Sequence, residues 1–355
     1  EKSQCVKLQD CHPVVTFLND APKPFPDEVI SAFHKFTCEF REEILDTLVC
    51  CPSQPVTIDK DGNILGPPPP PPNVANHPSL KYLPEDCGLI GISNKIIGGE
   101  NAGIVEFPWM ALLLYRTGET IVPNCGGTII NNKYILTAAH CLSNLPTPFV
   151  GVRVGDYQLS TEKDCVQEEH KRDKCIPPVQ HLIPERIIIH PEYSTQSQVN
   201  DIALIRVTKM NYAENVRAVC LPTPEEIIND DFKTGYVSGW GYLGSNGSKA
   251  DILQRVSLEK RNMSLCAEVY KDNPRLLVTA NSYKRLCIGG KQRKDSCKGD
   301  SGGPLQVAAN YNDEDKYFQR GIVSLGHRDC GTDNFPAIYT FVDRYVDWIL
   351  DNINP

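Results

Sequence analysis

The sequence predicts an all-β domain, residues 96–355, preceded by a small disulfide-stapled module, residues 1–52. Two observations predict this layout. From residue 96 onward, short apolar segments alternate with turn residues, a texture typical of a β-barrel or β-sandwich. Residues 1–51, by contrast, hold five cysteines, and residues 52–86 hold little that could form a core. Residues 53–95 join the two parts, and their six-proline run, Pro67–Pro72, favours a stiff polyproline II spacer.

The elements of the β domain follow from local patterns. Apolar runs of four to eight residues bounded by Gly, Asn and Pro are typical of strands. One segment differs, because Val346, Ile349 and Leu350 recur at helical spacing and predict a closing helix over residues 342–352. The predicted strands are Met110–Tyr115, Thr128–Ile130, Tyr134–Ala138, Ile202–Val207, Tyr236–Ser238, Gly321–Leu325 and Ala337–Phe341.

Composition restricts the compartment and the class of partner. Fifteen cysteines lack the repeated Cys-x₂₋₄-Cys pairs of zinc sites, so we expect a secreted protein with disulfides. The triplets at Asn246 and Asn262 are candidate N-glycosylation sites in that compartment. A formal net charge of −8 argues against nucleic acid and against an anionic membrane surface as partners. No apolar run reaches the ~18–20 residues of a membrane-spanning helix.

The strongest chemical signal is the hexapeptide Gly-Asp-Ser-Gly-Gly-Pro at residues 299–304. A serine nucleophile is held on a tight turn, with its hydroxyl toward a base and backbone N–H groups toward the substrate oxyanion. Glycines on both sides permit that turn and a close approach of substrate. The alternative interpretation is a plain Gly/Ser surface turn.

Two further residues supply partners for Ser301. His140 ends an apolar strand beside Cys141, and Asp201 begins another apolar strand. Taken alone, such a histidine is more often a satisfied core residue, and such an aspartate a turn or cap. Together, His, Asp and Ser at the edges of apolar strands are what acyl-transfer chemistry requires.

The stretches "TAAHC", "NDIALIRV", "SGWG" and "DSCKGDSGGPL" resemble the motifs of the chymotrypsin-like (trypsin-type) serine proteases. The resemblance covers essentially all of residues 96–355. It implies two six-stranded β-barrels with the active site in the cleft between them. It also implies that His140 is the general base, that Asp201 orients it and that Ser301 is the nucleophile. The N–H groups of Gly299 and Ser301 would form the oxyanion hole.

The stretch "IIGGE" after Lys95 resembles the activation junction of these zymogens. Cleavage of the Lys95–Ile96 bond would free an ammonium group at Ile96. In this family that group pairs with the aspartate before the nucleophile, here Asp300. Losing one partner of a buried ion pair costs about 3–5 kcal/mol, so the pair would hold the oxyanion loop in its working shape. The uncut chain is therefore expected to be a zymogen.

The same resemblance assigns the substrate-binding residues. Asp295 occupies the pocket-floor position, which favours Arg or Lys before the scissile bond. Ser324, Gly326 and Ala337 take the remaining pocket positions. Two residues depart from the family pattern. Leu325 stands where most relatives have Trp, and Ala337 stands where Gly is usual, so the ranking of Arg against Lys stays open.

The family pattern also implies cysteine pairs. Cys87 in the linker would bond Cys220 and keep the two chains joined after cleavage. The pair Cys165–Cys175 would close a small loop that digestive trypsins lack. The remaining expected pairs of this domain are Cys125–Cys141, Cys266–Cys287 and Cys297–Cys330.

The cysteine pattern "CVKLQDC … VCCP" of residues 5–52 resembles the clip domain of arthropod protease cascades. A clip domain has six cysteines, of which the first has no counterpart here. The resemblance therefore implies the pairs Cys5–Cys38 and Cys11–Cys51. Cys50 is then expected to be unpaired because its partner lies upstream of Glu1, which makes the module N-terminally incomplete. The alternative is a genuinely free Cys50 thiol.

The loop "GDYQLSTEKDC", residues 155–165, corresponds to a loop that binds calcium in many trypsin-like enzymes. Asp156 and Asp164 offer carboxylate oxygens, and Gln158 and Thr161 offer carbonyls, which suit a hard cation. A solvated acidic loop without a cation is the alternative.

Together these observations predict a secreted, Arg/Lys-specific serine endopeptidase zymogen of the extracellular haemolymph. Among clip proteases, the layout most resembles the prophenoloxidase-activating factors, so prophenoloxidase (melanisation) is the expected substrate. Further expected partners are an upstream activating protease, a serpin-type inhibitor and a clip-domain cofactor. The alternatives are a protease that activates the Toll-ligand precursor, a non-catalytic clip-domain cofactor and a digestive trypsin.

Overall fold

The computed structural model describes residues 5–21, 23–41, 43–52, 56–58, 64–65, 69–89, 100–166, 173–244, 247–270, 282–290, 296–326 and 332–355. The chain forms two compact units. The first comprises Glu1–Pro70 and Asn262–Tyr283, and the second comprises Pro71–Arg261 and Lys284–Pro355. In the part of the chain that is described, no helix combines the length and the apolar character needed to cross a membrane.

The elements are numbered in chain order. The helices are α1 His12–Asp20, α2 Asp27–Phe36, α3 Glu225–Ile228, α4 Met263–Val269 and α5 Val346–Asn352. Short 3₁₀ helices cover Leu8–Asp10, Ile44–Asp46, Pro78–Tyr82, Ala139–Cys141, Ser282–Lys284 and Val342–Arg344. The strands are β1 Cys5–Lys7, β2 Thr37–Glu39, β3 Leu48–Cys50, β4 Thr57–Ile58, β5 Ile64–Leu65, β6 Glu100–Asn101, β7 Met110–Thr117, β8 Thr120–Asn131, β9 Tyr134–Thr137, β10 Phe149–Val154, β11 Cys165–Val166, β12 Lys174–Cys175, β13 Gln180–Leu182, β14 Pro184–Ile189, β15 Ala203–Val207, β16 Thr234–Gly239, β17 Gln254–Arg261, β18 Arg285–Ile288, β19 Pro304–Tyr311, β20 Glu314–Leu325 and β21 Ala337–Phe341.

The first unit contains a three-stranded antiparallel sheet in the order β1-β3-β2. Its core is small and consists of Leu8, Cys11, Val14, Phe33, Phe36 and Val49. Two disulfides, Cys5–Cys38 and Cys11–Cys51, close this unit. Disulfides of this kind supply stability that so few buried side chains cannot.

The first half of the second unit is a closed β-barrel. Its sheet runs β13-β10-β7-β8-β9-β15-β14, and all the printed pairings are antiparallel. The two edge strands, β13 and β14, are separated only by Ile183, so they are one strand interrupted by a single residue. The barrel is therefore six-stranded, with no exposed sheet edge.

The second half of the unit closes in the same way. Its sheet runs β16-β19-β20-β21-β18-β17-β6, and a further pairing of β16 with β17 joins the ends of six of those strands. The strand β6 is added to the outer side of β17. The expectation of a chymotrypsin-like double six-stranded barrel is thus confirmed. All seven strands predicted from apolar patterning overlap observed strands.

The closing helix and the preceding linker both pack on the second unit. Val346, Ile349 and Leu350 of α5 are fully buried, as the helical spacing predicted, although the first turn, Val342–Arg344, is a 3₁₀ helix. The sequence predicted a Pro-rich linker and activation segment over residues 53–95, tied to the β domain by Cys87. In the structure, residues 71–89 belong to the second unit, and Val74 lies in its main apolar core.

Candidate active site

Strand pairing brings His140 and Asp201 together. The strands β9 and β15 are antiparallel partners, with Thr137 opposite Ala203. His140 lies three residues beyond Thr137, in the short helix Ala139–Cys141, and Asp201 lies two residues before Ala203. Both residues therefore emerge at the same end of the strand pair. His140 Nδ1 lies 2.8 Å from Asp201 Oδ2, and the His140 backbone N–H donates to Oδ1, also at 2.8 Å.

Asp201 is fully buried, yet it remains the negative partner of the pair. Burial favours its neutral form, but the charge and hydrogen bonds of His140, together with the Ser324 hydroxyl, outweigh that effect and lower the pKa of Asp201. For His140, burial lowers the pKa, and the nearby Asp201 carboxylate more than compensates, so that the pKa of His140 is raised. The imidazole is thus made a stronger base and is fixed in orientation.

The Ser301 turn lies against the end of the β9 strand. The backbone takes positive φ at Gly299 (+98°) and Gly302 (+79°), which glycine allows at low cost. A Cβ atom at Gly302 would lie 2.3 Å from Thr137 Oγ1, so the turn cannot accept a side chain there. The carbonyl of Ser301 accepts a hydrogen bond from the Gly126 N–H at 2.7 Å. The nucleophile is therefore fixed to the same barrel that carries His140.

The His140 ring lies beside the Ser301 turn. Cys141 Sγ lies 3.7 Å from both His140 Nε2 and the Ser301 carbonyl oxygen, which places the histidine edge beside the serine turn. Within the described ranges, the Ser301 hydroxyl does not hydrogen-bond to His140 Nε2, and the N–H groups of Gly299 and Ser301 donate to no protein acceptor. The role of these two N–H groups as donors to a substrate oxyanion stays a prediction.

Asp300 lies beneath the nucleophile, against the "SGWG" segment. Its Oδ1 accepts from the Gly241 N–H and its Oδ2 from the Cys297 N–H, both at 2.9 Å. A Cβ at Gly239 would come within 2.2 Å of Asp300 Oδ1, so glycine is required there. Burial outweighs the two hydrogen bonds and raises the pKa of Asp300 to about 6.

The predicted activation junction cannot be compared with this arrangement. Lys95 and Ile96 lie outside the described residues. The ion pair between Ile96 and Asp300 therefore stays a prediction.

The predicted pocket residues separate into two groups. Ala337 is fully buried, and a Cβ at Gly326 would lie 3.6 Å from Ala337 Cβ, so these two residues face one another. The Ser324 side chain instead donates its hydroxyl to Asp201 Oδ2. Asp295 lies outside the described residues, and its role as the pocket floor stays a prediction.

Sequence reasoning missed the role of the Ser324 hydroxyl and that of Thr340, whose Oγ1 donates to the Asp201 carbonyl at 2.8 Å. One signal was present, because Ser324 is a polar residue within the apolar end of strand β20, Gly321–Leu325. A buried hydroxyl in such a strand needs a hydrogen-bond partner. The sequence does not indicate which residue that partner is.

The four candidate calcium ligands lie in one compact loop. Asp164 Oδ2 accepts from the Tyr157 N–H at 2.9 Å and the Gln158 N–H at 3.2 Å, and the Thr161 hydroxyl also donates to Asp164. The carbonyl of Gln158 accepts from the Thr161 N–H at 3.1 Å. Asp164 and the carbonyl of Gln158 are therefore already engaged within the loop.

Asp156 carries the observation that favours a cation. Both of its carboxylate oxygens are buried and have no hydrogen-bond donor among the described residues, although Arg153 Nε lies 2.7 Å from Oδ2. Burial, together with the Asp164 charge, outweighs Arg153 and raises the pKa of Asp156 to about 6. A buried carboxylate whose oxygens accept no hydrogen bond, with a second carboxylate in the same loop, fits a hard cation such as Ca²⁺. Calcium here stays a proposal.

Five of the seven expected disulfides are formed. They are Cys5–Cys38, Cys11–Cys51, Cys87–Cys220, Cys125–Cys141 and Cys165–Cys175. Cys266, Cys287 and Cys297 are also disulfide-bonded, but Cys330 lies outside the described residues, and the pairs Cys266–Cys287 and Cys297–Cys330 stay predictions.

The remaining predictions concern a thiol and two glycans. Cys50 has a free thiol, as expected, and its Sγ lies 2.9 Å from Cys38 Sγ. The exposed Asn262 caps α4, because its Oδ1 accepts from the Ser264 N–H at 3.0 Å. Asn246 lies outside the described residues. Glycosylation at either asparagine stays a prediction.

Comparison with known proteins gives matches along the whole chain. Residues 96–349 match the Trypsin family. "Serine protease ea" of Drosophila melanogaster is 35% identical over 99% of this chain and 89% of its own length. "Phenoloxidase-activating factor 1" of Holotrichia diomphalia is 34% identical over all of this chain and 92% of its own length. The crystal structure of the Drosophila Grass clip serine protease of the Toll pathway superposes with a TM-score of 0.69 at 33% identity, covering 98% of this chain and 94% of that one.

Proposed function

The chain belongs to the trypsin family of serine endopeptidases, and we propose that it is the secreted zymogen of an insect immune cascade. In this proposal, cleavage after Lys95 activates it, and the active enzyme then cuts a downstream proenzyme after Arg or Lys. The observation that carries the catalytic part is the contact of His140 Nδ1 with buried Asp201 beside the Ser301 turn. The similarity to clip serine proteases extends over the N-terminal module as well as the barrels.

The geometry supports the following division of roles. His140 Nε2 takes the Ser301 hydroxyl proton as that oxygen attacks the scissile carbonyl. Asp201 stabilises the imidazolium that forms. Three hydrogen-bond donors, two from His140 and one from Ser324, keep Asp201 ionised. The N–H groups of Gly299 and Ser301 receive the oxyanion. His140 then returns the proton to the leaving amine, and water repeats the sequence to release the acid.

Specificity for Arg or Lys rests on Asp295. A carboxylate at the pocket floor would be left unpaired by an apolar residue before the cut. The buried Ala337 facing Gly326 adds a methyl group to the pocket wall, where glycine is usual in the family. Because this methyl group narrows the pocket, the preference between Arg and Lys should be measured by comparing kcat/KM for matched Arg and Lys substrates.

For the substrate we propose prophenoloxidase, with melanisation as the outcome. This proposal is supported by the 34% identity to Phenoloxidase-activating factor 1 over the whole chain. The second candidate is the Toll-ligand precursor, which is favoured by the likeness to a clip serine protease of the Toll pathway. In both cases the protein would act in haemolymph, after an upstream protease and under a serpin-type inhibitor, with a clip-domain cofactor as a further partner.

The test begins with the full chain before and after limited cleavage, confirmed by N-terminal sequencing at Ile96. We expect hydrolysis of a small Arg-amide only after cleavage, and none with Ser301→Ala. The cleaved enzyme is then incubated separately with prophenoloxidase and with the Toll-ligand precursor. Processing of the precursor alone would replace the melanisation proposal. A correctly cleaved chain without activity on any substrate would favour the non-catalytic cofactor.

A further inference from the structure

Two segments, the start of strand β8 and the loop after β16, expose large apolar side chains. Ile121 and Val122 at the start of β8 are 55% and 37% exposed, and Tyr242 and Leu243 after β16 are 39% and 57% exposed. We call these four residues the apolar shelf. Exposed apolar groups that cluster beside a functional site mark a binding surface more often than scattered ones do.

Lys249 holds the two parts of the shelf together. Its Nζ donates to the carbonyl of Pro123, next to Val122, at 2.8 Å. The same Nζ lies 5.8 Å from the centroid of the Tyr242 ring, and the backbones of Lys249 and Tyr242 form an antiparallel bridge. The shelf is therefore one continuous surface. The cation at its centre is occupied by protein contacts.

The shelf is directly continuous with the catalytic groups. The Tyr242 N–H donates to the carbonyl of Lys298 at 2.9 Å, and Lys298 immediately precedes Gly299. On the other side, β8 leads from Val122 to Cys125, which is disulfide-bonded to Cys141, the neighbour of His140. Both loops thus begin within a few residues of the oxyanion donors and the general base.

The chemistry of the reaction decides which part of a substrate meets this surface. The leaving amine takes its proton from His140 Nε2, so the residues after the cut leave the site on the side of the Cys125–Cys141 disulfide. Ile121 lies four residues from Cys125 on an extended strand, about 13 Å at about 3.3 Å per residue. An extended substrate spans that distance in about three to four residues.

We propose that the apolar shelf selects substrates with apolar or aromatic side chains at the second to fourth positions after the scissile bond. Such side chains would cover the four exposed groups and lose their own contact with water. A charged side chain set on the same surface would lose hydration without gaining a partner. The inference rests on the endopeptidase activity and adds a specificity determinant to it.

The experiment uses internally quenched peptides that share one sequence through Arg and differ only at the second and third positions after it. These positions carry Leu-Phe, Glu-Glu or Lys-Lys, and the cleaved full-length enzyme is assayed on each. We expect kcat/KM to be about tenfold higher for the Leu-Phe peptide, the range that one apolar pocket gives. In the double variant Ile121→Ser, Leu243→Ser, the ratio between peptides should fall to near one.

Because each result is a ratio between two peptides on one enzyme preparation, loss of folded protein does not change it. Ile183→Ser is the matched control, since Ile183 is 69% exposed between β13 and β14 and should leave the ratio unchanged. The single variant Tyr242→Ser tests the Tyr242–Leu243 part of the shelf separately.

Equal turnover of the three peptides by an enzyme that hydrolyses Arg-amide normally would contradict the role of the shelf in substrate selection and leave the endopeptidase function standing. A preference for Glu-Glu, or a ratio that persists in both shelf variants, would contradict the role of the shelf as well. Absence of Arg-amide hydrolysis by every form would instead overturn the endopeptidase function itself, and the shelf with it.

Discussion

Asp201 is held by donors from two separate strands as well as by His140. The hydroxyl of Ser324 in β20 donates to its carboxylate, and the hydroxyl of Thr340 in β21 donates to its carbonyl. Strands of the second barrel thus stabilise an ionised carboxylate that belongs to the first. Because the Asp201 carboxylate is fully buried, removing one of its hydrogen-bond donors should weaken its stabilisation of the His140 imidazolium.

Replacing Ser324 by Ala should therefore slow catalysis without changing the fold. A hydrogen bond to a charged group contributes about 1.5 kcal/mol or more, which corresponds to a loss of about tenfold in kcat/KM for Arg-amide. Ser257→Ala, an exposed serine of β17, is the control and should be unchanged. Equal rates for wild type and Ser324→Ala would mean that the hydroxyl does not support Asp201.

Asp300 should respond in opposite ways before and after cleavage. In the uncut chain its pKa is raised from 3.8 to about 6, so the folded state favours the protonated carboxyl. A raised carboxyl pKa is a stability cost that grows as pH rises from about 4 to about 6 and then stays constant. Asn accepts only one of the two N–H bonds, a cost that does not change with pH. The melting temperature of the uncut wild type should therefore fall relative to that of uncut Asp300→Asn as pH rises from about 4 to about 6.

After cleavage the same variant should be harmful. A neutral side chain cannot pair with the Ile96 ammonium, so we expect at least a hundredfold loss in kcat/KM. Melting curves and Arg-amide assays on the two forms check both halves. A cleaved Asp300→Asn enzyme with normal activity would contradict the predicted ion pair.

At the scale of elements, the segment before the activation site is fastened by Gly88. Its N–H donates to the Ala218 carbonyl at 2.8 Å and its carbonyl accepts from the Tyr317 N–H at 2.7 Å. Its φ is +60°, and a Cβ would lie 2.2 Å from the Tyr317 carbonyl oxygen. The segment is thus docked as an extra strand-like contact on β20.

Gly88→Ala should destabilise the protein by about 1–3 kcal/mol because strain and steric overlap add. Gly118→Ala is the matched control, since its φ is +61° and a Cβ there meets nothing within 4 Å. The difference between the two melting temperatures measures the steric term. Equal effects would show that backbone conformation alone is responsible.

The loop between β10 and β11 should bind calcium through Asp156. We expect added Ca²⁺ to raise the melting temperature, and excess chelator to remove the gain, because a cation would neutralise two buried carboxylates. Asp156→Asn should abolish the response. The control Glu119→Gln, an exposed carboxylate elsewhere, should retain it. Identical curves with and without Ca²⁺ would favour the uncoordinated loop.

The sequence predicted elements whose signals are local. Alternating apolar and turn residues identified seven strands, and the His, Asp and Ser motifs stood at element ends where short-range patterns are distinctive. The helix α1, His12–Asp20, was not predicted although Pro13 in its first turn favours a helix start, because only Val14 is fully buried and the apolar periodicity is weak. The support of Asp201 by Ser324 and Thr340 depends on register between distant strands, which no local pattern reports.

For the whole molecule, the disulfide between Cys87 and Cys220 should keep both parts of the cleaved chain together. We expect one band on a non-reducing gel after cleavage at Lys95–Ile96, and two bands after reduction. The double variant Cys87→Ser, Cys220→Ser should give two bands under both conditions. Two bands from the wild type on the non-reducing gel would mean that the cut lies elsewhere or that the Cys87–Cys220 disulfide is not formed.

The docking of Gly88 also sets a tether length. Lys95 at the predicted cut is the seventh residue after Gly88. An extended chain spans at most about 3.3–3.6 Å per residue, so Lys95 lies within about 25 Å of the docked segment. The short tether therefore keeps the scissile bond near the folded domain, and an activating protease must approach that domain to cut it. Lengthening residues 89–95 would change the rate of activation and leave the finished enzyme untouched, since the tether stays with the upstream fragment and the new N-terminus begins beyond it.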